Sequence, residues 1–412
     1  MTKPTVRAKI ANPDSILFEE NLIDHNGWSQ TIPGAPATGF SHNTYFQSNC
    51  RNLEFRNNIV SRASAVGGGI RCGGSVYNNL FLSNPRNLFI GSFDPAQINW
   101  PTEGVEGELA YNVILGARPE LGSVFYDPGN GITLERVRNV SVHHNIIAHF
   151  TEVSEGNTGI GINRADNVSL NNNIIYNWGN NQTSGLDFAS GITLGDNLQG
   201  VVSLSHNDVQ MKNTQGYCIN KWGGFANTSF SDSRYHNVVS ASNWFSIGSF
   251  SDWSTASGET NPQQIDVNYA DPERDISTYL TAVGQTGGLA EFIQLRKQMS
   301  QSNWNPDYTA QSVNNYIREG FGIPAISNLA EEVSIQEVFI YPNPNISGMF
   351  TLNLKTNPYS SLKIFNEKGQ LLLRKNNPHN GEIIDLSSHS PGIYFFLLEG
   401  KDKNFMIKAV KP

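Results

Sequence analysis

The chain has 412 residues with 28 Lys or Arg against 36 Asp or Glu, a net charge of −8, and 38 glycines beside only 16% charged residues. That length admits a solenoid plus one accessory domain, the acidic balance argues against nucleic acid as a partner, and no run of about 18 apolar residues offers a membrane span. Three cysteines, Cys50, Cys72 and Cys218, cannot make a disulfide framework; Cys50 and Cys72 lie about one repeat apart and either pair or, as the default, stack as buried thiols.

The opening "MTKPTVRAKIANPDSILF" carries no signal peptide and enters a repeat almost at once, as expected of a chain cut short at its amino end. From residue 13 to about 225 one pattern recurs. "RNVSVHHNIIAHF" (138–150) and "DNVSLNNNIIYNW" (166–178) align without a gap. "SILFEENLIDH" (15–25), "NLEFRNNIVSR" (52–62), "GSVYNNLFLSN" (74–84), "GELAYNVILGA" (107–117) and "VVSLSHNDVQM" (201–211) share their form. The common position is Asn21, Asn58, Asn79, Asn112, Asn145, Asn173 and Asn207, at intervals of 37, 21, 33, 33, 28 and 34. A minimum near 21 with variable excess describes a coil of fixed circumference with insertions at its corners. One coil cannot bury its apolar face, whereas stacked coils share a core. The predicted fold is all-β, a right-handed parallel β-helix over residues 1–225. Equivalent residues then stack about 4.8 Å apart. The asparagines are expected at an inward corner, bonded to the backbone and to one another, and suited to the left-handed conformation that corners need.

The repeat fades over 226–324. "ADPERDISTYLTAVG", "GGLAEFIQLRKQMSQ" and "DYTAQSVNNYIREGFG" read as short helices, the last with Val313, Tyr316, Ile317 and Phe321 at helical spacing. This block is expected to cap or flank the last coils. Asp266, Asp271, Glu273 and Asp275 read as turns and helix caps. Residues 325–336 read as a linker, and 337–412 as a small β-sandwich.

The tail carries Tyr341-Pro342-Asn343-Pro344, Gly348, the hairpin "IFNEKGQ", Leu386-Ser387, Pro391-Gly392-Ile393-Tyr394 and the terminal Lys408 and Lys411. In this order they resemble the carboxy-terminal sorting domain of the type IX secretion system. The resemblance implies that machinery as a partner and export to or beyond the surface of a Gram-negative bacterium. An ordinary carbohydrate-binding β-sandwich is the other reading. The tail holds nine basic and six acidic residues, net +3, which leaves −11 on the rest of the chain.

One strand of each coil can floor a glycan groove: "HNTYFQS" (42–48), "GGIRCGG" (68–74), "RNLFIGS" (86–92), "GITLERV" (131–137), "GIGINRA" (159–165), "GITLGDN" (191–197) and "YCINKWG" (217–223). With Phe46, Ile70, Leu134, Ile162, Leu194 and Ile219 turned inward, alternation turns out Tyr45/Gln47, Gly69/Arg71, Thr133/Glu135, Gly161/Asn163, Thr193/Gly195 and Cys218/Asn220. Gly69, Gly161 and Gly195 would keep the floor low for a polymer. Tyr45 and Arg71 fall on neighbouring coils, with His42 at the corner before Tyr45. Such a set suits β-elimination from a uronate. A cation neutralises the carboxylate and acidifies the adjacent C–H, a His or Tyr takes the proton, and Tyr protonates the leaving oxygen. Tyr45, Arg71 and His42 are the catalytic candidates. Gln47, His25, Asn43, Glu135, Asn163, Lys221 and Trp222 are candidates for substrate binding. Bland readings stand beside them: Arg71 as surface cover, Tyr45 as a core-edge ring, His25 and His42 as loop hydrogen-bonders, Glu135 and Arg136 as a surface pair. His143 and His144 should point to opposite faces, so with His149 they are not expected to hold a metal. No carboxylate cluster marks the row, as pectin hydrolases or calcium-dependent pectate lyases need. No cofactor is expected, and calcium is allowed but not indicated.

The segment "SRASAVGGGIRCGGSVYNN" (61–79) resembles the strand-turn-strand around the groove arginine of β-helical alginate and chondroitin lyases. It implies a lyase for an acidic, alginate-like polysaccharide, and the chain is expected to be secreted and monomeric. No Lys occupies the coil before Arg71, a departure from the chondroitinase-type pattern that leaves the base unassigned. The rival is a non-catalytic β-helix that binds glycan or serves as a surface adhesin, since a body at −11 attracts a polyanion poorly.

Overall fold

A computed structural model describes residues 8–10, 13–117, 129–153, 157–180, 189–239, 241–326, 338–341, 347–354, 359–400 and 404–411. Two compact units divide the chain, Met1–Ala325 and Ile326–Pro412. Most of the expected linker, 327–336, lies outside the described residues, as does Pro342-Asn343-Pro344 of the tail motif.

In the first unit, short runs of branched apolar residues form strands that pair, all in parallel, with the equivalent strand one repeat on. A 14-stranded sheet makes two rows. The first row runs through Ala8–Ile10, Thr44–Phe46, Val66–Ile70, Arg86–Gly91, the first parts of Asn130–His143 and Thr158–Asn171, Ser190–Leu194 and Tyr217–Lys221. The second runs through Asp14–Glu19, Arg51–Arg56, Gly74–Tyr77, Val105–Ala110, the second parts of the same two long strands, Leu198–Ser205 and Thr228–Ser231. The long strands turn between rows at Arg136 and Arg164, both left-handed at φ 56° and 51°. A nine-stranded sheet takes the third stretch of each repeat, from Leu22–Asp24 to Gln263–Gln264. Strands therefore continue past residue 225, where the repeat was expected to end: Thr228–Ser231, Arg234–Asn237 and Gln263–Gln264 pair onto the same sheets.

The six residues assigned inward, Phe46, Ile70, Leu134, Ile162, Leu194 and Ile219, are each at most 1% exposed and share one core cluster. Cys218 departs from the alternation: it is fully buried in that cluster rather than facing out. The following segment covers its strand, for the Cys218 amide donates to Trp244 O (2.7 Å) and Ile219 bridges Phe245.

The shared asparagines form a hydrogen-bonded column. Asn21 Nδ2 donates to Asn58 Oδ1 (3.1 Å), and the same bond joins Asn58 to Asn79 (3.0 Å), Asn79 to Asn112 (3.0 Å), Asn112 to Asn145 (2.9 Å), Asn145 to Asn173 (2.9 Å) and Asn173 to Asn207 (2.9 Å). From Asn58 onward each Oδ1 also accepts from the backbone N–H of the preceding repeat's asparagine, as Asn145 Oδ1 does from Asn112 N (3.0 Å). Every Nδ2 from Asn58 onward also reaches a carbonyl of the preceding repeat, three residues before that repeat's own asparagine, as Asn145 does to Leu109 O (2.9 Å). The left-handed conformation falls one residue earlier than expected, at Glu20, Asn57, Asn78, Tyr111, His144, Asn172 and His206. The chain turns at those residues and then presents the Asn inward. Asn145→Ala or Asn173→Ala is expected to lower stability by about 1–3 kcal/mol, because buried partners lose their bonds. Chemical denaturation measures this, and unchanged midpoints in both variants would contradict it.

Four helices follow: α1 (Phe250–Ser257), α2 (Ile276–Ala282), α3 (Leu289–Lys297) and α4 (Ala310–Gly320). Asp275 caps α2 by accepting from Thr278 N (2.8 Å), so the acidic run does include a cap. Only α1, which the sequence reading missed, closes the last repeats: its Trp253 stacks on Phe245 (4.7 Å) inside the main core. The other three lie along the outer face of the nine-stranded sheet, not at its end. Their Ile276, Phe292, Val313 and Ile317 pack on Leu80, Val113, Ile146 and Ile174 in a second core. They reach the earliest repeats, where Arg296 donates to Glu20 O (2.8 Å) and Asn314 to Asn78 O (3.0 Å).

The second unit has two antiparallel sheets around one core of Phe350, Leu362, Ile384, Phe396 and their neighbours. Gly348 is left-handed (φ 73°), and a Cβ there would meet Leu386 backbone at 2.9 Å. The Lys411 ammonium donates to the carbonyls of Leu386 (3.1 Å) and Ser387 (2.8 Å). Two of the tail's motif positions thus have structural causes.

Candidate functional site

The first row presents its outward residues in columns. Tyr45 pairs with Gly69, Gly69 with Phe89, Phe89 with Thr133, and onward through Gly161 and Thr193 to Asn220. In the next column Gly91 pairs with Glu135 and Glu135 with Asn163. Gly91 is left-handed (φ 91°), and a Cβ there would fall 1.8 Å from Glu135 O, so no other residue fits.

His42, Tyr45 and Arg71 come together. The His42 ring stacks on Tyr45 with centroids 5.2 Å apart and planes 12° apart. The Arg71 guanidinium carbon lies 5.1 Å from the Tyr45 ring centre and 4.4 Å from that of Phe89. Its Nη1 donates to Gly91 O (3.0 Å), which aims the group. Burial pushes the Arg71 guanidinium below its ordinary value, with the Tyr45 side chain and Asp94 pulling the other way. His42 is 9% exposed, whereas Tyr45 and Arg71 are half-buried.

Three further residues belong to this cluster and were missed. Phe89 stands at an outward position yet is buried, because Arg71, Arg86 and Phe93 cover it. The Arg86 guanidinium lies 5.3 Å from the Phe89 ring and 5.2 Å from Phe93, which is itself exposed. Two cations therefore flank one aromatic ring. The signal was available in "RNLFIGS": a bulky apolar residue at an outward strand position implies a cover.

The other candidates are placed differently. Asn43 is fully buried and structural, donating to Ser61 O (2.7 Å) and accepting from Asn26 N (3.1 Å). His25 packs against Trp28 at a left-handed turn, ring centres 4.1 Å apart and planes tilted by 46°. Gln47 is half-buried, and its carbonyl accepts from Cys50 N (3.1 Å). Glu135 is 1% exposed, so it is neither a surface pair nor open to a ligand. Arg164 (2.6 Å), Arg136 (3.1 Å) and Asn163 (3.2 Å) enclose it. Burial pushes the Glu135 carboxyl upward against the pull of Arg164 and Arg136. Asn163 is half-buried beside it. Lys221 pairs in register with Leu194, an inward position, and its ammonium donates to the carbonyls of Trp222 and Gly195. Trp222 is 47% exposed.

None of the three glycines leaves open space above it: a Cβ on Gly161 would meet Thr158 Cγ2 at 3.0 Å. A Cβ on Gly69 would meet Thr44 O at 2.9 Å and the Tyr45 ring at 3.5 Å, and one on Gly195 would meet Asn163 Oδ1 at 2.6 Å. The Thr44 carbonyl at Gly69 and the Asn163 side chain at Gly195 occupy that space.

His143 and His144 are not separated as alternation implied. His144 is left-handed (φ 55°), which breaks the strand period and brings the two Nδ1 atoms to 2.9 Å. His143 Nε2 also contacts Glu108 (2.9 Å), and His144 stacks on Tyr111 (4.9 Å). His149 lies apart, against Arg274 O (3.2 Å), and burial pushes its ring downward. Among the described residues no group of three or more His, Cys, Asp or Glu is arranged to hold a metal ion. A polar hollow of about 380 Å³ opens by Asn172, His206, Asp232 and Arg234. Its Arg234 is already committed to Asp208 (2.5 Å), which also accepts from the Tyr269 hydroxyl (2.7 Å).

Residues 339–411 match the family described as "Secretion system C-terminal sorting domain". A stretch of 146 residues, 35% of the chain, is 23% identical to a protein named ulvan lyase NLR42 from Nonlabens ulvanivorans. The match spans 27% of that protein's length, about a quarter. The sorting domain marks the chain for the type IX secretion machinery and so for secretion or the cell surface. No helix among the described residues is long and apolar enough to cross a membrane. Deleting 326–412 is expected to abolish export in a host with this machinery and to leave the melting of the first unit unchanged. Fractionation and calorimetry measure the two effects, and a first unit that no longer melts cooperatively would contradict the second.

Proposed function

We propose that the first unit is a right-handed parallel β-helix that cleaves a uronate-containing polysaccharide by β-elimination. The observation that carries this reading is the stacked set His42–Tyr45–Arg71, held at the paired strands Thr44–Phe46 and Val66–Ile70 and the turns beside them. In it Arg71 neutralises the uronate carboxylate and acidifies the adjacent C–H. Tyr45, beside that cation, transfers the proton, and His42 holds the Tyr45 ring in place. Arg86, only 4% exposed, shares the Phe89 ring with Arg71 and adds a second positive charge to the local field of a chain of net −8. The partial likeness to a protein named as a lyase supports the same class. Exposed Phe93 and Trp222 offer sugar-stacking faces.

The test is a panel of ulvan, alginate, chondroitin and pectate, followed by the ultraviolet absorbance of the unsaturated uronate that elimination creates. Retention of one polymer without any product would replace this reading with a non-catalytic glycan-binding protein.

A further inference from the structure

The three cysteines are all thiols in this structure, yet they are not equivalent. Cys218 is fully buried, its thiol directed to His236 O (3.5 Å). Cys50 and Cys72 share one corner of consecutive repeats. Before the corner, Phe46 pairs with Ile70; after it, Glu54 pairs with Ser75. Carrying both registers into the turn sets Cys72 level with residues 48–51. Cys50 is 3% exposed within the main core, and Cys72 packs against the same cluster. Parallel neighbours at about 4.8 Å fall inside the Cα separation of about 4.4–6.8 Å that a disulfide spans.

The sorting domain takes this chain out of the reducing cytoplasm. Disulfides form and persist in the periplasm and outside the cell. We infer that Cys50 and Cys72 close into a disulfide in the exported protein while Cys218 remains a thiol. The reaction is thiol–disulfide exchange with a periplasmic oxidoreductase in its disulfide form. One cysteine thiolate attacks the oxidant's disulfide, forming a mixed disulfide and releasing one oxidant thiol. The second cysteine thiolate then displaces the other, so the oxidant leaves as a dithiol with two electrons and two protons. Burial, with Cys50 alongside, pushes the Cys72 thiol up to about 12 in the folded reduced chain. Attack from that thiol is slow, so closure accompanies folding of the repeat.

The bond ties the turn after the Tyr45 strand to the turn that carries Arg71, since Cys72 follows Arg71 and the Cys50 amide donates to Gln47 O (3.1 Å). That consequence rests on the proposed active site; the bond itself does not.

The full chain, exported to the periplasm, is denatured and alkylated without reductant, and its intact mass is read. One alkylated cysteine is expected, identified as Cys218 by peptide mapping, and three after reduction. Three alkylated cysteines without reductant, or a bridge that includes Cys218, would overturn the inference. Folded reduced protein should reoxidise with oxidised glutathione at least about tenfold more slowly than the chain refolded with the same reagent. Equal rates would refute closure during folding. The double variant Cys50→Ser/Cys72→Ser is expected to melt about 5 °C below the oxidised protein. Equal melting would show that the bond clamps nothing. The mass experiment on the unaltered chain decides the bond even where the double variant does not fold.

Discussion

Arg71→Ala is expected to lower turnover on a uronate polysaccharide at least about 100-fold, the scale of one preorganised electrostatic group at a reacting centre. The guanidinium is held by Gly91 O (3.0 Å), by the Tyr45 face and by the Phe89 face, so it is aimed before substrate arrives. Lysine would not reproduce this, because an ammonium lacks the planar fork that stacks and donates at once. Arg71→Lys is therefore expected to recover little. Tyr45→Phe separates chemistry from packing. It keeps the ring between His42 and Arg71 and removes only the hydroxyl. A similar fall in kcat with KM unchanged is expected if that hydroxyl moves the proton. Calorimetry checks that both variants stay folded. Wild-type turnover in folded Arg71→Ala would remove this cluster from the reaction.

Legibility followed where the period of two holds and where it stops. The inward residues and the meeting of Tyr45 with Arg71 depend only on alternation and on the repeat, both visible in one sequence. Corners defeat it. His144 is left-handed, so counting faces from His143 gave the wrong side. Lys221 follows the period: with Ile219 inward, residue 221 turns inward too, in register with Leu194 and only 6% exposed. Alternation turns Glu135 outward, yet Arg136 beside it and Arg164 and Asn163 of the next repeat enclose it, as Asn26 and Ser61 enclose Asn43. Polarity does not reveal enclosure when the covering residues come from another repeat. The three helices α2, α3 and α4 show the same limit. Val313 and Ile317 announce an apolar face, but nothing in their spacing says that it lies along the nine-stranded sheet.

Asp24→Asn is expected to destabilise the first unit by about 3 kcal/mol, close to the cost of breaking a buried ion pair from one side. The Asp24 side chain is 2% exposed and closes the third stretch of the first complete repeat. It accepts from Arg62 Nη2 (2.6 Å) and Nε (2.7 Å), from Ser61 Oγ (2.7 Å) and from Lys297 of α3 (2.8 Å). One carboxylate thus joins two adjacent repeats to a helix distant in sequence. Burial alone would raise its carboxyl; Arg62, Lys297 and Ser61 outweigh that and hold it below its ordinary value of 3.8. A depressed acid binds its proton more readily in the unfolded chain, so its stabilisation is complete above 3.8 and fades as pH falls through the lower folded value. Thermal melting between neutral pH and pH of about 3 should show a steeper acid limb in the wild type than in Asp24→Asn, with the two curves converging at the acid end. Parallel curves would mean that Asp24 carries no net charge-dependent stabilisation, and the joint between the repeats and α3 would then rest on the apolar contacts alone.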